Sequence, residues 1–242
     1  MVKNLLVSDY DGTYITNSKE MLEQNNSEIK KFMLNGNLFA MSTGRIFYDI
    51  IDELKKNNIM FNYLCCSNGN SIFNEELDLI KFIEIKYADI IFLERFYKYI
   101  DSIESFDSYG EKTKKNITEF RIKYKDLKAK EVITKYLLDN KIYSYYHNIN
   151  NPLILHIFNY YSNKSNAVSF ISKRESILKE NIYSIGDGYN DSDIILDFNG
   201  YSVPSAKKYV KSIALGECSS VASLAKSIED GSVMKRWKKY IV

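Results

Sequence analysis

The stretch Leu5-Leu6-Val7-Ser8-Asp9-Tyr10-Asp11-Gly12-Thr13 decides how this 242-residue chain is read. Leu5 to Val7 is an apolar run rich in branched residues, which predicts a buried strand, and it stops at two carboxylates one residue apart. Gly12 lets the backbone turn sharply behind them. In an extended segment Asp9 and Asp11 point to the same side, where their charges repel by roughly 4 kcal/mol at ~4 Å and an effective dielectric of ~20. Two acids so placed call for a cation between them. The plain alternative is a turn or helix cap, since Asp and Gly commonly end strands. An EF-hand loop would need a bidentate Glu at its twelfth position, which counted from Asp9 is Glu20. A strand precedes Asp9, however, and the sixth position is Tyr14 rather than Gly.

Composition narrows the class. The 45% hydrophobic content is enough for a packed core, and the length permits one large domain or a core with an insert. With 33 basic and 31 acidic residues the formal charge is +2, which gives no long-range attraction to nucleic acid or an anionic membrane. Cys65, Cys66 and Cys218 have no metal-ligand spacing and read as buried thiols in a reducing compartment. Only a few residues separate Met1 from the first strand, and no apolar run approaches the ~20 residues that span a bilayer. The expectation is a soluble, cytoplasmic protein with neither a nucleic-acid nor a membrane partner. Oligomeric state is not readable.

Working outward from the first strand, Ser18 to Leu34 has helical apolar spacing that closes at Asn35-Gly36. Leu38 to Met41 predicts a second buried strand, ending at Ser42-Thr43-Gly44-Arg45, and Ile46 to Lys56 a second helix. A Thr-Gly between strand and helix offers a hydroxyl and backbone amides at a positive helix end, a weak signal alone because Ser and Thr are ordinary caps. Tyr63 to Ser67 predicts a third strand, followed by Asn68-Gly69, and Ser71 to Phe73 the far arm of a hairpin. Strand and helix alternating with short loops describe a parallel α/β sheet.

The pattern then changes. Between about Asp78 and Asn159 strands are expected at 80–85, 119–124, 142–146 and 153–158, with helices at 89–103 and 127–138. The alternation of Phe120, Ile122 and Tyr124 suits a half-exposed antiparallel sheet, so the segment reads as an inserted α+β module with its own small core. The basic run Lys112 to Lys115 reads as a solvated loop. The α/β pattern resumes at Ser162-Asn163-Lys164, which opens a helix at about 165–178. A short strand at 182–185 ends in Gly186-Asp187-Gly188-Tyr189-Asn190-Asp191, and further short elements follow at 194–196, 201–203, 206–213 and 221–228. Val233 to Ile241, with Trp237 between basic residues, reads as a terminal amphipathic helix. A lysine in the first turn of a helix opposes the helix dipole, an objection that a nearby anion removes.

Each polar cluster falls at the carboxyl end of an expected strand or opens the helix that feeds one, and in a doubly wound sheet ligands bind there. Asp9 and Asp11, Thr43 and Gly44, and Asp187 with Asp191 come from three strands, with Lys164 beside the third. Several carboxylates without His or Cys suit Mg²⁺ rather than zinc, and Thr43, backbone amides and Lys164 suit a phosphoryl group.

On these residues the chain resembles the haloacid dehalogenase (HAD) superfamily of phosphatases, in its Cof-type sugar-phosphatase-like branch. The family's four signatures are matched by Asp9-Tyr10-Asp11-Gly12-Thr13, Ser42-Thr43-Gly44-Arg45, Lys164 and Gly186-Asp187-Gly188-Tyr189-Asn190-Asp191, and Asn68-Gly69 and Val203-Pro204-Ser205-Ala206 also fit. Ser192-Asp193-Ile194 and Ser165 depart from the family's usual residues without removing a catalytic group. The resemblance implies an α/β fold, with a doubly wound, mostly parallel Rossmann-like core at 1–77 and 160–242 and an inserted α+β cap of the C2 type at 78–159 that acts as a specificity lid. It implies Asp9 as nucleophile, forming an aspartyl-phosphate, and Asp11 as general acid and base. Tyr10, Thr43, Gly44, Lys164 and Asn190 would bind phosphate or substrate, and Mg²⁺ would be held by Asp9, Asp11, Asp187 and Asp191.

The function expected is Mg²⁺-dependent hydrolysis of small phosphorylated metabolites, either sugar phosphates or a phosphorylated cofactor. A phosphomutase or phosphotransferase, and a catalytically silent metabolite-binding protein, are the alternatives. A silent relative would be expected to have lost the nucleophile, the acid or the lysine, and all three are present. Tyr143, Tyr145, Tyr146 and His147 could line the cap with stacking faces, although strand-formers packed on the cap's own sheet have the same composition. Hinges for cap opening are expected near 76–80 and 159–163.

Overall fold

Strand β1 (Leu5–Asp9) is buried along its whole length because both edges are paired. β2 (Leu38–Ser42) runs parallel on one side and β10 (Ile182–Gly186) parallel on the other. β3 (Tyr63–Cys66) lies beyond β2 and β11 (Asn199–Ser202) beyond β10, also parallel. The sheet is completed by the antiparallel strands β4 (Ser71–Asn74) and β5 (Leu79–Phe82), giving the order β11-β10-β1-β2-β3-β4-β5. Chain progression reverses at β1, so the crevice of a doubly wound sheet opens at the carboxyl ends of β1 and β10. The computed structural model describes residues 3–86, 91–140, 143–147 and 153–236, except the side chains of residues 92, 138, 140 and 143–147.

The helices follow their local signals. α1 (Lys19–Leu34) starts at Ser18, whose hydroxyl accepts from the Met21 N–H, and ends where Gly36 takes a positive φ. α2 is Phe47–Lys56, with Ile50, Ile51 and Leu54 buried. α4 is Lys164–Glu175, capped by the Asn163 side chain. α5 (Ser192–Asp197), α6 (Lys208–Ile213) and α7 (Val221–Glu229) complete this layer. α7 packs on α1, where the buried Asn25 amide donates to Tyr14 O and accepts from the Ala222 N–H.

The inserted region is a second, four-stranded antiparallel sheet, ordered β6-β7-β9-β8, with β6 at Ile100–Phe106. β7 is Glu119–Tyr124, β8 Tyr143–His147 and β9 Ile154–Asn159, close to expectation. Phe120, Ile122 and Tyr124 point to one side and join Leu155, Ile157 and residues of α3 (Leu127–Asn140) in a core separate from that of the large sheet. This core-plus-cap arrangement is the architecture expected from the sequence.

Two expectations for this region do not hold. Residues 91–99 form a 3-10 helix, and Ile100–Phe106 is strand β6, where one helix over 89–103 was expected. β6 finds its backbone partners on β7, from Ile100 opposite Tyr124 to Phe106 opposite Glu119, and this pairing outweighs the local helical spacing. The strand expected at 80–85 within the insert instead pairs with β4 in the large sheet, as β5. That sheet therefore continues to Phe82, and a hinge at 76–80 would fall inside it. The chain enters the smaller core at Ile85, whose N–H donates to Ile117 O. The side chains of Tyr143, Tyr145, Tyr146 and His147, and the C-terminal helix expected from Trp237 onward, lie outside the described residues.

Candidate active site

Strand order brings the sequence's polar clusters to one place. Asp9 ends β1, Thr43 and Gly44 follow β2, Asp187 follows β10, and Lys164 opens α4. Lys164 is completely buried. Its ammonium donates to Asp9 Oδ1 at 2.5 Å, to Asp191 Oδ1 at 2.6 Å and to Ser42 O at 3.0 Å. An ammonium has three N–H bonds, and all three are used here. Lys164 can therefore reach a phosphoryl oxygen only by releasing one of these partners.

Asp191 is equally committed. Its second oxygen, Oδ2, accepts the N–H groups of Asp187 (3.0 Å) and Gly188 (2.9 Å), so it fixes the loop that carries Asp187. Glycine is needed at position 186 because a Cβ there would lie 2.5 Å from Asp191 Cγ. Gly12 has φ +79°, and a Cβ on it would stand 2.9 Å from Asp187 Oδ2. Thr13 donates its hydroxyl to Asp187 Oδ1 at 3.3 Å. Asp9, Asp187 and Asp191 present carboxylate oxygens within 4.8 Å of one another. This set contains only hard oxygen donors, which suits a divalent cation such as Mg²⁺.

The electrostatics follow from burial. Loss of solvent, then the charge of Asp191, push the Asp9 carboxyl up to about 8, although Lys164 acts in the opposite direction. Burial and Asp191 also raise Asp187. Burial by itself would lower Lys164, but Asp191 and Asp9 outweigh it and hold the ammonium charged. Burial pushes the Cys65 thiol up to about 12 and Cys66 well above its ordinary value, so both are unreactive; Cys218 is half-buried.

The expected phosphate-binding residues fall into two groups. Thr43 is buried; its N–H donates to Cys65 O and its Oγ1 accepts from the Arg45 N–H, which leaves the hydroxyl proton to donate. The segment is not at a helix end: α2 begins at Phe47 with Ile46 as its cap, so the expected helix-terminus amides lie further along the chain. Asn190 Nδ2 donates to Asn68 Oδ1 at 3.2 Å, and Asn68 Oδ1 lies 3.3 Å from where a Cβ on Gly44 would sit. These three form one wall. The Tyr10 ring is fully buried and packs beneath the Arg45 guanidinium, whose carbon lies 5.3 Å from the ring centre.

Asp11 is placed differently from Asp9. Its side chain is half-exposed and is gripped by Arg45, which the sequence reading passed over as part of a signature. Asn68, which accepts from Asn190, and Thr13, which donates to Asp187, also belong to the site's surroundings. Their only signal was adjacency to Thr43, Gly69 or the acidic pair.

A family model for haloacid dehalogenase-like hydrolases matches residues 6–93 and 81–225. The chain belongs to this family. Solved HAD structures share the fold over nearly their whole length. A HAD-superfamily phosphatase from Bacteroides thetaiotaomicron has a TM-score of 0.74 at 17% identity, covering 96% of each chain. A putative HAD/Cof-like hydrolase from Plasmodium vivax has a TM-score of 0.71 at 17% identity, covering 94% of this chain and 96% of that one. A HAD subclass IIB sugar phosphatase has a TM-score of 0.71 at 15% identity, covering 96% and 100%. At such identities the likeness is one of fold. No curated protein matches the chain. No described helix is long and apolar enough to cross a membrane.

Proposed function

We propose that this HAD-family protein is a Mg²⁺-dependent phosphatase of the Cof-type branch, acting in the cytoplasm on small phosphorylated metabolites such as sugar phosphates or a phosphorylated cofactor. The observation that carries the reading is the Lys164 ammonium, which ties Asp9 to Asp191 beside Asp187 at the carboxyl ends of β1 and β10. A buried carboxylate fixed by one oxygen is oriented for attack with the other. Asp9 attacks phosphorus, the bond to the leaving oxygen breaks, and Asp11 supplies the proton that oxygen takes up. Asp11 then takes a proton from water, which attacks phosphorus, breaks the bond to Asp9 and releases inorganic phosphate. The Thr43 hydroxyl, the Gly44 main chain and Asn190 support the phosphoryl oxygens, and Lys164 joins them when it gives up a carboxylate.

Asp9, Asp187 and the Asp11 main-chain carbonyl would hold Mg²⁺, with Asp191 as anchor. When bound, the cation lowers the repulsion between an anionic nucleophile and an anionic phosphate. The segment 78–159 would cover the crevice and select the substrate; the printed description of one fold relative as a sugar phosphatase agrees with this reading. The test is phosphate release from a panel of sugar phosphates, pyridoxal phosphate and FMN, with Mg²⁺ and with EDTA. Mg²⁺-dependent release from at least one is expected. An isomerised substrate without free phosphate would make the protein a mutase, and inertness towards the whole panel would sink the phosphatase reading.

A further inference from the structure

Asp11 stands apart from the carboxylate cluster, and what it touches is specific. Arg45 Nε donates to Asp11 Oδ2 at 2.9 Å and a terminal nitrogen of the same guanidinium donates to Asp11 Oδ1, a two-pronged grip on one carboxylate. The other terminal nitrogen donates to Glu53 Oε2 on α2 at 2.7 Å. The guanidinium carbon lies 5.3 Å from the centre of the buried Tyr10 ring. The Arg45 backbone is held as firmly: its N–H donates to Thr43 Oγ1 at 3.1 Å and its carbonyl accepts from the Ser67 N–H at 2.8 Å. Glu53, Arg45 and Asp11 thus form a chain of ion pairs along the rim of the crevice, with an aromatic ring as its floor.

Such a pair contributes little to stability, since Asp11 is half-exposed and Arg45 and Glu53 are about a third exposed. Its effect is geometric. A carboxyl group on an exposed turn samples several rotamers, whereas a planar fork with a fixed base permits one orientation. Proton transfer to a leaving oxygen needs a defined orientation, because a misplacement of about 1 Å can cost ~100-fold in rate.

We propose that Arg45 is the positioning residue for Asp11, itself held by Glu53 and the Tyr10 ring. This rests on the reading of Asp11 as the proton carrier. Arg45 acts through Asp11 and does not bind the phosphate, which is what separates it from the arginines that commonly grip phosphoryl groups.

The test is a double-mutant cycle on phosphate release with p-nitrophenyl phosphate, using Arg45→Met, Asp11→Asn and the pair, after circular dichroism shows that each is folded. Arg45→Met should lower kcat by about 10- to 100-fold with KM changed by less than about twofold. In the Asp11→Asn background the same change should alter kcat by less than about twofold. Glu53→Gln should give a smaller loss that vanishes in the Arg45→Met background, and Arg45→Lys should recover only part of the rate because it lacks the fork. With an alkyl phosphate, whose leaving group needs the proton more, the Arg45→Met loss should grow. Binding of inorganic phosphate with Mg²⁺, followed by calorimetry, should be the same in wild type and Arg45→Met. Additive losses in the pair, or phosphate binding weakened about tenfold or more, would show direct phosphate contact or a structural role and overturn the positioning inference alone. A wild-type protein that releases phosphate from no substrate would overturn the phosphatase reading, and this inference with it.

Discussion

Lys164 Nζ lies 2.5 Å from Asp9 Oδ1, across 155 residues of sequence. The contact joins the end of β1 to the start of α4, and the same nitrogen reaches Asp191 at 2.6 Å. One buried ammonium therefore serves both as the counter-charge for two carboxylates and as the pin between the two halves of the core.

Removing that charge should damage stability as well as activity. In Lys164→Met the buried Asp9 and Asp191 carboxyls lose the ammonium they share, and breaking a buried pair this way costs about 3–5 kcal/mol. Urea denaturation should show a loss of that size, and phosphate release should fall by at least ~100-fold. A variant as stable as wild type would mean that the ion pair is not formed in solution.

Asp9→Asn separates chemistry from folding. It keeps the shape of the side chain and leaves Lys164 paired with Asp191, so the fold should survive, as read by circular dichroism and thermal melting. Turnover should disappear because an amide cannot serve as the nucleophile. Wild-type-like activity in this variant would remove Asp9 from the mechanism.

The raised pKa of Asp9 makes a signed prediction about pH in EDTA. The folded value, about 8, lies above the ~3.9 of an unfolded Asp, so the folded state binds an extra proton between them. The stabilisation from that proton is complete below the lower value and is lost as pH rises through the upper one. The melting temperature of wild type relative to Asp9→Asn should accordingly fall by at least ~3 °C between pH 5 and pH 8.5. Mg²⁺ should stabilise wild type more at pH 8.5 than at pH 5, because cation and proton compete for the same carboxylate. A flat difference curve would contradict the buried, crowded environment of Asp9.

Gly186→Ala should show how tightly the β10 loop is built. The new methyl would stand 2.5 Å from Asp191 Cγ, so Asp191 must move away from Lys164 or from the amides it anchors. A destabilisation of about 1–3 kcal/mol is expected, with weaker Mg²⁺ binding by calorimetry. Unchanged Mg²⁺ affinity would show that Asp191 does not position Asp187.

Asn70 should matter at the junction of core and cap. Its Nδ2 donates to Thr118 O at the foot of the cap sheet, and its Oδ1 accepts from the Ser162 hydroxyl on the returning chain. Asn70→Ala leaves both groups unpaired and should cost about 1–3 kcal/mol, with a change in KM if the cap selects the substrate. No change in either denaturation or kinetics would mean that the junction is held elsewhere.

What could be read from the sequence was whatever near neighbours encode. Apolar runs gave the strands of the large sheet, and Ser18, Asn163 and Gly36 marked helix ends, because capping and turn geometry act within a few residues. The convergence of Asp9, Asp187 and Lys164 was also legible, since a doubly wound sheet gathers the carboxyl ends of its strands. Only the tertiary structure decided the rest. β6 is a strand because β7 lies beside it, and β5 joins the large sheet because β4 offers it an open edge. Arg45 grips Asp11 across 34 residues, and the Lys164 ammonium divides itself among Asp9, Asp191 and Ser42 O. An ion pair or a strand partner depends on distance in space, and sequence spacing carries no such distance until the fold has closed.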